Sequence, residues 1–141
     1  MHAHDLRELA ECVTQVSYLG VLPASEAAAL VSRHRWALLP IDDEVTEYAF
    51  PSKSSSYALS GAGILAICGV DTSVAKWVNE HKAGVVCVPD MKAIVKCFFE
   101  LEDRQDSVFE FPHEFLATLQ IDYFSERLRS LLIVDKNEAN I

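Results

Sequence analysis

The sequence predicts an α/β fold: a Rossmann-like parallel sheet of about four strands, covered by helices, with a helical C-terminal tail. Three observations predict it. The runs Val16–Gly20, Trp36–Ile41, Ile64–Cys68 and Gly84–Val88 are almost continuously apolar, as strands buried on both faces must be. Between them lie segments whose apolar residues recur at helical spacing. The connections are short, which fits right-handed crossovers between parallel strands.

Each element has its own justification. Asp5 to Val13 sets Leu6, Leu9, Ala10 and Val13 on one face of a short helix. "VSYLG", Val16–Gly20, is a compact strand closed by glycine. Pro23 and Ser25 punctuate the start of the alanine-rich helix "SEAAALVSRH", with the Ser25 hydroxyl available as its cap. Trp36–Ile41 is the second strand, and "DDEVTEY", Asp42–Tyr48, is an acidic loop. A helix over about Ser52–Ser60 and a turn at Gly61–Gly63 lead into the third strand, "ILAIC". "DTSVAKWVNEHK" offers Asp71 or Thr72 as a cap and Val74, Ala75 and Val78 as an inner helical face. "GVVCV", Gly84–Val88, is the fourth strand, bounded by Pro89. Helical patterns then run over Met91–Leu101, about Asp106–Leu119 and Tyr123–Val134, before a frayed end. With no repeat or linker, the expectation is a single domain over 1–141. Its strand–helix core covers about 16–90 and its helical tail about 91–134.

Composition narrows the function classes. The chain has 141 residues, is 50% hydrophobic and 23% charged, and so suits a packed globule. A net charge of −9 with scattered basic residues argues against a nucleic-acid footprint. Only Arg33, His34 and Arg35 stand together, and they read as a solvated helix end. Cys12, Cys68, Cys87 and Cys97 lack CxxC spacing and read as buried thiols in a reducing compartment. Trp36 and Trp77 sit among apolar residues and read as core, and the five histidines lack metal-ligand spacing, so no metal is expected. "MHAHDLRELAE" lacks the apolar stretch of a signal peptide and no run suggests a transmembrane segment, so a soluble, cytoplasmic protein is expected.

Ligands of open α/β sheets collect beyond the carboxyl ends of the strands. Two loops qualify on this reading, Val21–Ser25 and Asp42–Lys53. If Ser52–Ser56 forms a first helical turn, its free amides favour an anion. Lys53 and the hydroxyls of Ser52, Ser54 and Ser55 would add charge and donors for a phosphate or pyrophosphate. Capping serines and a solvated lysine are the plainer alternative. Gly20 admits a close ligand approach or simply ends a strand, and Asp42, Asp43, Glu44 and Glu47 suit a solvated acidic loop better than a catalytic carboxylate pair.

The segments "VSYLGVLPASEAAALVSRHRWALLPI" and "FPSKSSSYALSGAGILAICGVDTSVAKWVNEHKAGVVCVPD", with the closing "DYFSERLRSLL", resemble the C-terminal half of GT-B glycosyltransferases. The likeness is to the branch with a proline–serine–lysine helix and runs from about Val16 to the end. It implies a domain that binds the nucleotide-diphosphate part of a sugar donor, with no cofactor, as in polysaccharide biosynthesis. Ser52, Lys53 and Ser54 would lie near the diphosphate and Ser56 near the ribose. The family's ribose-holding glutamate falls on Ser56, and its partner glutamate on Tyr48, one place from Glu47. Some branches with this helix also lack the glutamate. The resemblance covers neither the acceptor-binding N-terminal domain nor the first two strand–helix units of the nucleotide domain. A fragment of a longer transferase, inactive alone, is therefore expected. The alternative is a non-catalytic Rossmann-like module that docks a protein partner or self-associates, for instance as a homodimer.

Overall fold

Three of the four apolar runs form strands: β1 (Trp36–Pro40), β2 (Gly63–Ile67) and β3 (Gly84–Cys87). They are parallel, in the order β1-β2-β3, with Leu38 opposite Leu65 and Leu65 opposite Val85. The computed structural model describes residues 3–102 and 109–138. The expected strand at Val16–Gly20 is a correction: this segment pairs with no strand among the described residues, so the sheet has three strands and not four. Its apolar residues are not those of a doubly covered strand, since Leu19 is 57% exposed and the neighbouring Val21 98%. Gly20, at φ +73, turns the chain out of the extended conformation.

The helices follow in chain order: α1 (Ala3–Cys12), α2 (Ala24–Val31), α3 (Asp43–Tyr48), α4 (Ser52–Leu59), α5 (Ser73–Glu80), α6 (Met91–Glu102), α7 (His113–Thr118) and α8 (Ile121–Glu138). Four expectations are revised. Pro23, not Ser25, occupies the cap of α2 and contributes no side-chain bond. The acidic stretch Asp42–Tyr48 is not a loop but α3, because Asp42 accepts the Glu44 N–H and nucleates the turn. The helix expected over about 106–119 shrinks to α7, while residues 106–108 lie outside the described ones. Pro112 disfavours helical backbone in Phe111 before it, and α7 starts just beyond. The tail helix does not fray after Val134 but continues to Glu138.

Burial explains the layering. Leu39, Ile64, Ala66 and Cys68 of the sheet segment pack with Ala58 of α4, Val74, Ala75 and Val78 of α5, and Phe115 of α7. On the other face Leu65 and Cys87 pack with Leu101 of α6, flanked by Trp36, Val85, Ala93, Ile94 and Cys97. Each fully buried aliphatic side chain, such as Ile64, Val74 or Val78, contributes roughly 1.5–3 kcal/mol of transfer free energy. An aromatic run, Trp36–Phe109–Phe111–Phe115–His81–Trp77–Phe50, joins the two faces through ring contacts of 4.7–5.7 Å. Cys68 and Cys87 are buried as expected; Cys12 is exposed and Cys97 half-buried, which corrects the reading of all four as core thiols.

The turns place the strands. Beyond α4, Gly61 N–H donates to Ala58 O at 3.0 Å and Ala62 N–H to Tyr57 O at 3.1 Å, the paired bonds of a Schellman stop. That stop requires a left-handed residue, and Gly61 supplies it at φ +80. Beyond α5 the same pair recurs, Lys82 N–H to Asn79 O and Ala83 N–H to Val78 O, with Lys82 forced to φ 50. Both crossover helices run back along the sheet, so α4 and α5 open at the carboxyl edge of the strands.

Candidate functional site

A cleft of about 540 Å³ opens at that carboxyl edge. Asp43, Thr46 and Glu47 of α3 form one wall, the turn Gly69–Ser73 forms the other, and Val88 closes the end beyond β3. Its walls are stitched together by polar bonds distant in sequence. Gly69 N–H donates to Asp43 Oδ1 at 2.7 Å, and Ser73 Oγ–H to Thr46 O at 3.1 Å. Thr46 Oγ1–H in turn donates to Asp43 O at 2.7 Å, which holds the first turn of α3. Glycine at position 69 leaves room for this arrangement, because a Cβ there would overlap the Asp43 carboxylate and displace it. The bond and the missing side chain are therefore one device, which lets a helix carboxylate reach the strand-ending amide.

Thr72 organises the other wall. Its Oγ1 accepts the Ala75 N–H at 3.2 Å, capping α5, and lies 2.8 Å from Gly69 O and 3.3 Å from Cys68 Sγ. Burial pushes the Cys68 thiol above its usual range; the Thr72 hydroxyl pulls the other way, and the Asp43 carboxylate adds a smaller upward push. A thiol held protonated is a poor nucleophile, so Cys68 is a packing group beneath the cleft. Among the described residues the cleft is lined by three carboxyl-bearing ones, Asp43, Glu47 and Asp71, and by no lysine or arginine. Its chemistry is that of an acceptor surface, suited to hydroxyl or ammonium donors.

Of the candidate ligand residues Gly20, Glu47, Ser52, Lys53, Ser54, Ser55 and Ser56, Glu47 lines this cleft and the others do not. Ser54 is fully buried and its hydroxyl donates to Pro51 O at 2.7 Å. Ser56 is exposed and donates to Ser52 O at 3.3 Å. Ser52 and Lys53 are exposed in the first turn of α4, whose Pro51 cap offers no side-chain bond. That opening differs from α3, α5 and α6, where Asp42, Thr72 and Asp90 each accept a first-turn amide. Gly20 is exposed, with no heavy atom within 4 Å of where a Cβ would stand, and belongs to no wall of the cleft.

The turn Gly69–Ser73 is the part of the cleft that the sequence reading missed. Its signal was available: it directly follows an apolar strand and precedes a helix, the position where open α/β sheets receive ligands. Among the described residues no group of three or more His, Cys, Asp or Glu side chains is arranged to hold a metal ion. Likewise, no helix among them is long and apolar enough to cross a membrane. Compared with known proteins, the chain matches no family model, no curated protein and no solved structure.

Proposed function

We propose that the chain is the donor-binding part of a GT-B-type glycosyltransferase, holding a nucleoside diphosphate sugar at the carboxyl edge of its sheet. The observation that carries this reading is one juxtaposition. The uncapped first turn of α4, with Lys53, opens at the same edge of the strands as the carboxylate-lined cleft. The two halves of such a donor call for these two chemistries. Ribose and hexose hydroxyls donate to carboxylates, and Glu47 is the lining residue nearest in sequence to the family's sugar-reading position. The diphosphate suits the open amides of Ser52 and Lys53 and the ammonium on its flexible stem. Catalysis would need the second domain that closes the cleft, so the chain alone binds donor and does not transfer sugar.

Titration calorimetry with UDP, GDP and their hexose conjugates tests this. A saturable heat for at least one is expected, weakened about tenfold by Lys53→Ala and less by Glu47→Gln, as loss of one charge-assisted contact predicts. No heat for any of them at millimolar ligand defeats donor binding by this chain. An unchanged affinity in Lys53→Ala removes the lysine from the site.

A second reading has its own observation. α6 and α8 present Met91, Phe98, Phe99, Ile121, Phe124 and Leu131 to solvent, with Phe99 67% exposed, and β1 is an edge strand. Such surface suits association with a partner domain or a second copy. Light scattering separates the readings: a stable dimer without nucleotide affinity favours the docking module.

A further inference from the structure

We infer that the opposite, amino-terminal edge of the sheet carries a small oxyanion site, built from Arg33, Arg35 and the Trp36 indole, for a ligand bearing a phosphate or carboxylate group. Arg33 and His34 are the solvated helix end that the sequence leads one to expect, exposed and with their backbone N–H groups donating to Leu30 O and Val31 O of the last turn; Arg35, half-buried, departs from that expectation. Ser32 already closes α2, and the chain carries Arg35 inward to the start of β1. There the guanidinium lies 5.4 Å from the Trp36 ring centroid and 5.6 Å from that of Phe109, with the two rings edge to face. The aromatic faces answer part of its charge but offer no acceptor for its N–H groups in the guanidinium plane.

Three donor atoms are consequently orphaned. Arg35 Nε, Arg35 Nη1 and Trp36 Nε1 are buried and make no hydrogen bond to any of the described residues. Among the described residues neither Arg33 nor Arg35 forms an ion pair, although the chain carries 21 acidic residues against 12 basic ones. Buried donors almost always find a partner, and three unpartnered ones on adjacent residues, all donors, are the exception that calls for an acceptor. A concavity of about 360 Å³ lies beside them, lined among the described residues by Arg33, His34, Arg35 and Trp36, with no carboxylate among these. That volume accepts a small phosphate monoester or carboxylic acid. A guanidinium fork matches either oxyanion with two parallel N–H bonds, while Arg33 at the rim adds charge. The site is on the sheet edge away from the carboxylate-lined cleft, so it stands or falls independently of nucleotide-sugar binding there.

The test follows the Trp36 indole N–H directly. In the ¹⁵N-labelled full chain its cross-peak is identified by its loss in Trp36→Phe, or by elimination using Trp77→Phe. Sodium phosphate and sodium acetate are titrated separately, at fixed pH and at an ionic strength held with sodium chloride. A saturable shift with phosphate alone marks a phosphate site, and with acetate alone a carboxylate site. Arg33→Gln should weaken that binding about 3–10-fold. Arg35→Lys, which keeps the charge and loses the fork, should weaken it about tenfold or more. A drift no larger than that caused by chloride, for both anions, overturns the inference. So does a saturable shift that both arginine variants leave unchanged.

Discussion

Replacing Gly69 by alanine tests whether the cleft wall is held by the Asp43 bond. The new Cβ would stand inside the Asp43 carboxylate, so the side chain must swing away and the 2.7 Å bond from Gly69 N–H is lost. A hydrogen bond to a charged acceptor contributes about 1.5–3 kcal/mol, and an exposed carboxylate such as Asp43 belongs at or below the lower end, about 1–1.5 kcal/mol. For a chain of 141 residues that corresponds to a fall in Tm of about 3–6 °C. Helical circular dichroism followed through heating reads this directly. The diagnostic comparison is a double-mutant cycle. In an Asp43→Ala background there is no carboxylate to displace, so Gly69→Ala should then cost only a few tenths of a kcal/mol. A Gly69→Ala variant that melts within 1 °C of the parent, or the same loss with and without Asp43, would refute the account of a shared device.

Two further outcomes follow from local geometry. Burial raises the thiol of Cys68, the thiol of Cys97 and the hydroxyl of Tyr57, so the native state keeps protons that the unfolded chain releases. Their stabilisation is complete below the ordinary thiol value of about 8.5 and declines as pH rises above it; urea midpoints that stay level between about pH 8 and 10 would contradict this. In the same samples exposed Cys12 should react rapidly with a disulfide reagent, and Cys68 only on unfolding. Lys82, at φ 50 in the Schellman stop after α5, bears a Cβ where glycine would bear none. Lys82→Gly should raise stability by about 0.5–1 kcal/mol in denaturant titration, and a loss of stability would mean that the left-handed turn is not strained.

The parts of the fold legible in the sequence were those where burial and local chemistry agree. Ile64–Cys68 is apolar at every position because both sheet faces are covered there, and the structure buries four of those five residues. The Thr72 cap and the Gly61 stop act within one helical turn, so their residue types announce them. Val16–Gly20 misled because its composition matches a strand, whereas a strand exists only where a neighbour completes its hydrogen bonds. Pairing is a property of the sheet, and no local pattern encodes it. The acidic run at Asp42 misled in the opposite sense: its charge suggested a solvated loop, yet Asp42 is a helix cap and the carboxylates that follow it lie in a helical first turn, where the dipole favours them.

The candidate sites divide along the same line. Serines were read as ligand donors because a hydroxyl before a helix is visible in sequence. In three dimensions Ser54 and Ser56 spend their protons on the carbonyls of Pro51 and Ser52, three and four residues back. A hydroxyl that can reach its own helix backbone is a weaker candidate for a ligand than one that cannot. The arginines reverse the case. Nothing local separates Arg33 from Arg35, yet β1 begins directly after Arg35, and the strand's entry into the sheet carries its guanidinium between two rings. What distinguishes a binding group from a solvated one is whether the fold takes its water away without returning a partner. By that criterion the guanidinium of Arg35 stands out among the described residues, with two buried donors that none of them satisfies, and it sits where the sequence pattern looked least informative.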